Sequence, residues 1–161
     1  AGMVMLAVCG GYQLLGNSYE LGSEQIEGLA LVDLHTVRDD GPRLIGPVAV
    51  ETAVGGSRRT LAGFENHGGR TWLGPGVEPL GRVVAGHGNN GEDGYEGILS
   101  RNLIGTYLHG PLLPKNAWLA DHLIRTGLER AEGRDIELAP LDDELETAAH
   151  RSALSAAVSD R

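Results

Sequence analysis

Cys9 is the single cysteine of this 161-residue sequence, and its surroundings suit a nucleophile. It follows an apolar run over residues 3–8, which predicts a buried strand, and precedes Gly10 and Gly11, which predict a sharp turn into a short helix. Free backbone N–H groups at such a turn favour the reactive thiolate and can hold the oxyanion of a tetrahedral intermediate. The glycines permit the strained backbone of a nucleophile elbow. We therefore predict a nucleophilic Cys9, with a buried structural cysteine as the alternative.

A nucleophilic thiol needs a base, which is usually histidine. The sequence contains six histidines: His35, His67, His87, His109, His122 and His150. His109 directly follows the apolar strand predicted over residues 103–108, so it emerges at the carboxyl end of a strand, as Cys9 does. In an open α/β sheet those ends share one crevice. His109 is therefore the preferred base, and His67, in a glycine-rich turn, is the second candidate.

Apolar patterning predicts the strands and helices that must position these residues. The predicted strands cover residues 3–8, 29–36, 45–52, 60–64, 81–85 and 103–108, and the predicted helices cover residues 12–16 and begin near residues 116 and 142. A strand, a tight turn and a helix form an α/β unit with a functional turn at the strand's carboxyl end. We expect one α/β domain over residues 1–161, with a tail that frays after about Ser155. Because the apolar run begins almost directly after Ala1, we also expect the amino-terminal part of the domain to be missing.

Composition excludes several classes of function. Thirteen Lys and Arg against 22 Asp and Glu give a formal net charge of −9, which argues against binding to nucleic acid or to an anionic membrane surface. No apolar run approaches the roughly 20 residues of a membrane span. One cysteine excludes an internal disulfide and a four-thiolate zinc site, and no acidic cluster has the spacing of metal ligands. We therefore expect a soluble cytoplasmic protein without a metal site.

Three sequence blocks carry a family resemblance. They are AVCGGYQLLG at residues 7–16, FENHGGRT at residues 64–71 and GTYLHGP at residues 105–111. Together they resemble the class I glutamine amidotransferases of the cobyric acid synthase type, which implies a flavodoxin-like sheet with helices. The resemblance also implies that Cys9 attacks the side-chain amide of L-glutamine to form a thioester, while His109 moves the proton and ammonia leaves.

The same resemblance implies roles in binding the substrate. Gln13, four residues after the nucleophile, is placed to help hold glutamine, and Gly10 contributes its backbone at the turn. Arg43 stands where similar proteins carry an arginine for the α-carboxylate, and a guanidinium suits a carboxylate because it can donate two parallel hydrogen bonds. Without the resemblance, Arg43 would be interpreted as an ordinary exposed loop arginine.

Two further blocks narrow the resemblance to the glutaminase subunits of lipid II isoglutaminyl synthases: GNNGEDG at residues 88–94 and LLPKN at residues 112–116. This implies that ammonia passes to a Mur-ligase-like catalytic subunit in a heterodimer. The ligase then amidates D-glutamate of the lipid II stem peptide to D-isoglutamine in peptidoglycan biosynthesis. ATP and magnesium would bind to the ligase, with no cofactor on this chain. The alternatives are another acceptor, such as a corrinoid, or a non-catalytic scaffold that binds a ligase.

The sequence departs from the family pattern in two places. Triad amidotransferases typically carry a glutamate two residues after the catalytic histidine, where this sequence has Pro111. The resemblance therefore implies that an acidic residue of the partner completes the site. Family members also have about half a domain before the nucleophile, including a glycine-rich loop that supplies a second oxyanion donor, whereas eight residues precede Cys9 here.

Overall fold

A computed structural model describes residues 3–159 as a mixed α/β fold, which confirms the predicted fold class. The strands β1 to β11 are Met5–Val8, Ser18–Leu21, Glu24–Glu27, Leu34–Arg38, Leu44–Thr52, Arg59–His67, Gly69–Leu73, Gly81–Ala85, Tyr95–Glu96, Ile98–Ser100 and Leu103–Thr106. The helices α1 to α4 are Gly10–Leu14, Leu112–Lys115, Ala117–Glu132 and Glu144–Ser159, and a 3-10 turn covers Val54–Gly56. Ala1 and Gly2, before which a missing segment is predicted, and the last two residues of the tail lie outside the described residues.

The first sheet contains the two strands that lead to the predicted catalytic residues. Its order is β1-β11-β10, with β1 parallel to β11 and β10 antiparallel to β11. The parallel register pairs Met5 with Leu103 and Val8 with Thr106. The carboxyl ends of both strands therefore lie side by side, so that Cys9 and the segment leading to His109 leave the sheet at the same edge, as expected.

Two four-stranded sheets complete the described fold. One has the order β3-β2-β4-β7, in which β2 and β4 are parallel. The other has the order β6-β5-β8-β9 and is antiparallel, with β5 and β6 paired from Leu44 and His67 to Thr52 and Arg59. The long β5–β6 hairpin carries the chain to the β6–β7 turn, which contacts the candidate site.

The strand predicted over residues 29–36 begins later, as β4. Ahead of β4, the Leu29 N–H donates to the Leu14 carbonyl at 2.8 Å, and the Leu31 N–H donates to the Leu15 carbonyl at 2.9 Å. The last carbonyls of a helix have no partner within it, and here this segment supplies their donors. The backbone of residues 29–31 therefore closes the end of α1 instead of extending a strand.

The two later helices form close to where helical periodicity predicts them. Helix α3 ends at Gly133, whose φ of 67° is the left-handed conformation common at helix ends. Helix α4 packs on the antiparallel sheet through Ala157, which clusters with buried Ala49 and Ala85. It extends to Ser159, and fraying of the tail after about Ser155 stays a prediction. None of the helices within residues 3–159 is long and apolar enough to cross a membrane.

Candidate active site

Cys9 occupies a strained turn between β1 and α1. Its N–H donates to the Thr106 carbonyl at 2.9 Å, and its carbonyl accepts from the Gln13 N–H at 3.0 Å. Its φ of 52° and ψ of −111° put a non-glycine residue in a conformation that costs on the order of 1–3 kcal/mol. The side chain is partly exposed, and a Cβ added at neighbouring Gly10 would meet no atom within 4 Å. The sharp turn predicted at Cys9 is therefore present, with open space beside it.

His109 lies beyond β11 on a segment that turns toward β6. Strand β11 ends at Thr106, earlier than predicted, because the Thr106 side chain accepts the Leu108 N–H at 3.0 Å and bends the chain. The His109 N–H then donates to the Phe64 carbonyl at 2.8 Å. Its Nδ1 is buried and has no hydrogen-bond partner in the part of the chain that the structure describes. Nothing in that part of the chain therefore orients the imidazole through Nδ1.

Gln13 lies one helical turn after Cys9 on α1, on the same side of the helix. It is half-buried, and its Nε2 donates to the Tyr107 hydroxyl at 3.1 Å. Gly69, at the start of β7, adjoins the same nitrogen, since a Cβ added there would lie 2.6 Å from Nε2. The end of the Gln13 side chain thus lies against the start of β7.

Arg43 reaches the same part of the molecule from the loop before β5. Its Nε donates to Asn66 Oδ1 at 2.9 Å, and one terminal nitrogen donates to the Asn66 carbonyl at 2.8 Å. The other terminal nitrogen would lie 3.6 Å from a Cβ at Gly68. The segment 64–69 therefore contacts His109, Arg43 and Gln13 in turn, and brings together residues that are distant in sequence.

His67, the second candidate for the base, is a structural residue. Only 1% of it is exposed, because the two-residue alternation of β6 turns it inward. Its Nδ1 lies 2.8 Å from the Gly69 carbonyl, and its ring stacks on Tyr107 with centroids 3.6 Å apart. A histidine enclosed in this way cannot reach a substrate, so this alternative is wrong.

Two buried carboxyl groups support the site, and we did not predict either. Glu65 accepts the His87 N–H at 2.6 Å and the Gly88 N–H at 2.9 Å, so it anchors the glycine-rich loop after β8. Glu96 accepts the Thr106 hydroxyl at 2.6 Å and the Tyr107 N–H at 2.7 Å. Burial raises the pKa of Glu96 to about 7, against the opposing effect of these hydrogen bonds.

The burial of one of these carboxyl groups, that of Glu65, could have been predicted from the sequence. Glu65 alternates with Gly63 and His67 along β6, and all three face inward. Glu96 follows Tyr95 in a two-residue strand that is too short to show a period. Among residues 3–159, no three His, Cys, Asp or Glu side chains could hold a metal ion together.

Comparison with known proteins points to one family. Residues 1–117 match the family model of the CobB/CobQ-like glutamine amidotransferase domain. The chain is 43% identical over 141 residues to the lipid II isoglutaminyl synthase (glutamine-hydrolyzing) subunit GatD of Streptococcus pneumoniae, covering 87% of this chain and 54% of that protein. It is 45% identical over 146 residues to the subunit of the same name from Staphylococcus aureus, covering 90% of this chain and 57% of that protein.

A more distant similarity extends to a probable cobyric acid synthase of Methanosphaera stadtmanae. The identity is 35% over 117 residues, which covers 66% of this chain and 23% of that protein. The chain spans a little over half the length of the two GatD relatives it matches.

Proposed function

The chain belongs to the CobB/CobQ-like glutamine amidotransferase family, and from this we propose that it is the glutamine-hydrolysing part of a lipid II isoglutaminyl synthase. The observation that carries the chemistry is the strained turn that presents Cys9 beside the carboxyl end of β11. That lipid II is the molecule that accepts the ammonia is inferred from the two GatD relatives, at 43% and 45% identity.

The reaction is an acyl transfer through Cys9. The thiol gives its proton to His109, and Sγ attacks the side-chain carbonyl carbon of glutamine. Backbone N–H groups at the turn, including that of Gly10, stabilise the oxyanion. The C–N bond then breaks as His109 returns the proton to the leaving nitrogen, which gives ammonia and a glutamyl thioester. Water, deprotonated by His109, attacks the thioester and releases glutamate and the free thiol.

Arg43 and Gln13 hold the substrate in this proposal. Arg43 spends two of its five N–H donors on Asn66, which leaves three for a carboxylate. Within the described residues, no acidic side chain forms an ion pair with Arg43. The contacts to Asn66 thus fix the guanidinium in place, while no carboxylate in that part of the chain balances its positive charge. We assign it the role of binding the α-carboxylate of glutamine.

A partner subunit completes the site. The unpartnered Nδ1 of His109 and the absence of a carboxylate at Pro111 both favour an acidic residue supplied from outside the described chain. We assign it to a Mur-ligase-like subunit that binds ATP and magnesium and uses the ammonia to convert D-glutamate into D-isoglutamine. A cytoplasmic location is part of the proposal, since a reducing compartment keeps a reactive thiol free of disulfide formation.

The same glutaminase chemistry with a corrinoid acceptor is the second candidate, because the similarity to cobyric acid synthases covers 66% of the chain. The acceptor decides between the two. The full-length protein and its candidate ligase, given ATP and glutamine, should amidate lipid II and leave a corrinoid acid unchanged, as followed by mass spectrometry. Amidation of the corrinoid alone would assign the second candidate.

The chemistry is tested by intact-mass analysis after treatment with a diazo-ketone analogue of glutamine, with and without the ligase. We expect a single adduct that Cys9→Ala abolishes and that forms faster with the ligase present. No adduct in the complex would overturn the glutaminase assignment and leave a ligase-binding scaffold.

A further inference from the structure

A buried group of hydroxyls holds the amide of Gln13. The Tyr107 hydroxyl accepts from Gln13 Nε2 at 3.1 Å and lies 2.6 Å from Thr71 Oγ1, which in turn lies 2.8 Å from Thr36 Oγ1. Tyr107, Thr71 and Thr36 have no exposed surface. The polar end of Gln13 is therefore tied to a network that water does not reach.

The Tyr107 ring is a fixed support for that hydroxyl. It stacks on His67 at 3.6 Å with an interplanar angle of 3°, and meets the edge of Tyr12 at 5.1 Å. Burial raises the pKa of Tyr107 to about 12, so the hydroxyl keeps its proton at neutral pH. Gly69 confines the Gln13 amide from another direction, as an added Cβ would lie 2.6 Å from Nε2. The amide nitrogen is therefore enclosed at a defined point.

The orientation of the Gln13 amide decides whether it can bind the α-ammonium group of the substrate. Glutamine carries an α-ammonium group, which needs hydrogen-bond acceptors, whereas Arg43 offers donors alone. Because Nε2 of Gln13 donates a hydrogen bond to Tyr107, the amide oxygen is the atom that can face a ligand and accept from its ammonium group. In the opposite orientation, the amide would direct its N–H donors at the ammonium group, which also has only donors.

We propose that Tyr107 is a positioning residue for substrate recognition: its hydroxyl holds the Gln13 amide nitrogen inward, so that the oxygen accepts from the α-ammonium group of glutamine. This inference rests on the proposed function and defines how that site distinguishes an amino acid from a simple carboxamide acid. Tyr107 acts through Gln13 and does not touch the substrate.

The test measures binding without turnover. The full-length protein carrying Cys9→Ala, in complex with its ligase, is titrated calorimetrically with L-glutamine and with glutaramic acid, which keeps the carboxamide and carboxylate but lacks the α-ammonium group. We expect Tyr107→Phe to weaken glutamine binding roughly tenfold, the loss expected of a hydrogen bond to a charged group, and to change glutaramic acid binding less than about twofold.

Tyr12→Phe is the matched control. It also removes a fully buried tyrosine hydroxyl, but that hydroxyl donates to Asn89 at 3.0 Å and does not contact Gln13. The ratio of the two affinities should stay unchanged in this variant. If Tyr107→Phe lowers the melting temperature too far for titration, Thr71→Val replaces it, because it removes the neighbouring hydroxyl of the network and should shift the ratio in the same direction.

Rescue separates positioning from a structural effect. Gln13→Glu presents oxygen atoms at both ends of the planar group, so its orientation no longer needs to be selected. In the Gln13→Glu background, Tyr107→Phe should therefore leave the ratio of the affinities for glutamine and glutaramic acid unchanged. An unchanged affinity ratio in Tyr107→Phe would overturn the inference alone. Failure of the parent complex to bind either molecule would overturn the proposed function, and the inference with it.

Discussion

The amide nitrogen of Gln13 and the backbone of Gly69 approach each other so closely that no side chain fits at position 69. A Cβ there would lie 2.6 Å from Gln13 Nε2 and 2.7 Å from the Thr36 methyl group. Thr36 is fully buried and β-branched, so it cannot move aside easily. Helix α1, which begins directly after Cys9, is thereby held against the start of β7.

Gly69→Ala should therefore damage substrate binding and stability together. We expect the KM for glutamine to rise at least tenfold, because Gln13 must leave its place, and overpacking to cost about 1–3 kcal/mol of unfolding free energy. Gly68→Ala is the matched control, since the nearest atom to its Cβ would be Arg43 Nη1 at an ordinary 3.6 Å. Equal effects of the two substitutions on KM would contradict this contact.

The strained turn at Cys9 predicts opposite effects on activity and stability. Cys9→Gly should abolish glutamine hydrolysis and yet unfold at higher urea concentration than Cys9→Ala, because glycine adopts positive φ without a steric penalty. The gain should be about 1 kcal/mol, since part of the relief is offset by the greater freedom of glycine in the unfolded chain. Chemical denaturation of both inactive variants measures the difference, and an alanine variant at least as stable as the glycine variant would show that the turn is not strained.

The sharp turn at Cys9 was predictable because its signals are local. The apolar run before Cys9 ends at Gly10 and Gly11, and the apolar strand β11 leads toward His109, so strand ends and turns could be assigned without knowing the rest of the fold. Cys9 and the segment leading to His109 leave the sheet on the same side because β1 and β11 are parallel neighbours. That adjacency follows from a general rule for α/β sheets.

The support beneath the site was not predictable in the same way. Glu96 in β9 binds Thr106 and Tyr107, at the end of a strand of a different sheet, and Tyr12 binds Asn89 of a distant loop. Such partners are set by tertiary contacts, and single polar residues in glycine-rich segments look solvated in a sequence. His67 was considered as a base for the same reason: glycines follow it, but it ends β6 and the alternation of that strand turns its side chain inward.

Arg43→Lys separates the charge from the geometry of the guanidinium. Lysine keeps the cation but loses the paired contacts to Asn66 and the fork that matches a carboxylate. We expect the KM for glutamine to rise roughly tenfold with little change in kcat, because the α-carboxylate is remote from the reacting carbon. Arg58→Lys, at an exposed ion pair with Glu51, serves as the control. Steady-state ammonia release provides the measurement, and a fall in kcat at unchanged KM would instead place Arg43 in the chemical step.

Glu96 should make the stability of the protein fall as the pH rises through the weakly acidic range. Its pKa is raised by burial from an ordinary value of 4.5 to about 7, and nearby Glu65 adds to the increase while His67 opposes it. Between these two pH values the unfolded chain has released the proton that the folded chain still holds. The stabilisation is therefore present below about pH 4.5 and is lost by about pH 7, with a total change on the order of 3 kcal/mol.

Glu96→Gln removes this titration and keeps an oxygen that can accept from Thr106 and Tyr107. Relative to the unsubstituted protein, the variant should gain most of that 3 kcal/mol between about pH 5 and about pH 8. Urea unfolding at several pH values measures the difference, with exposed Glu92→Gln as the control that should show no such trend. A stability difference that does not vary with pH would mean that the pKa of Glu96 is the same in the folded and unfolded protein, in which case burial does not raise it.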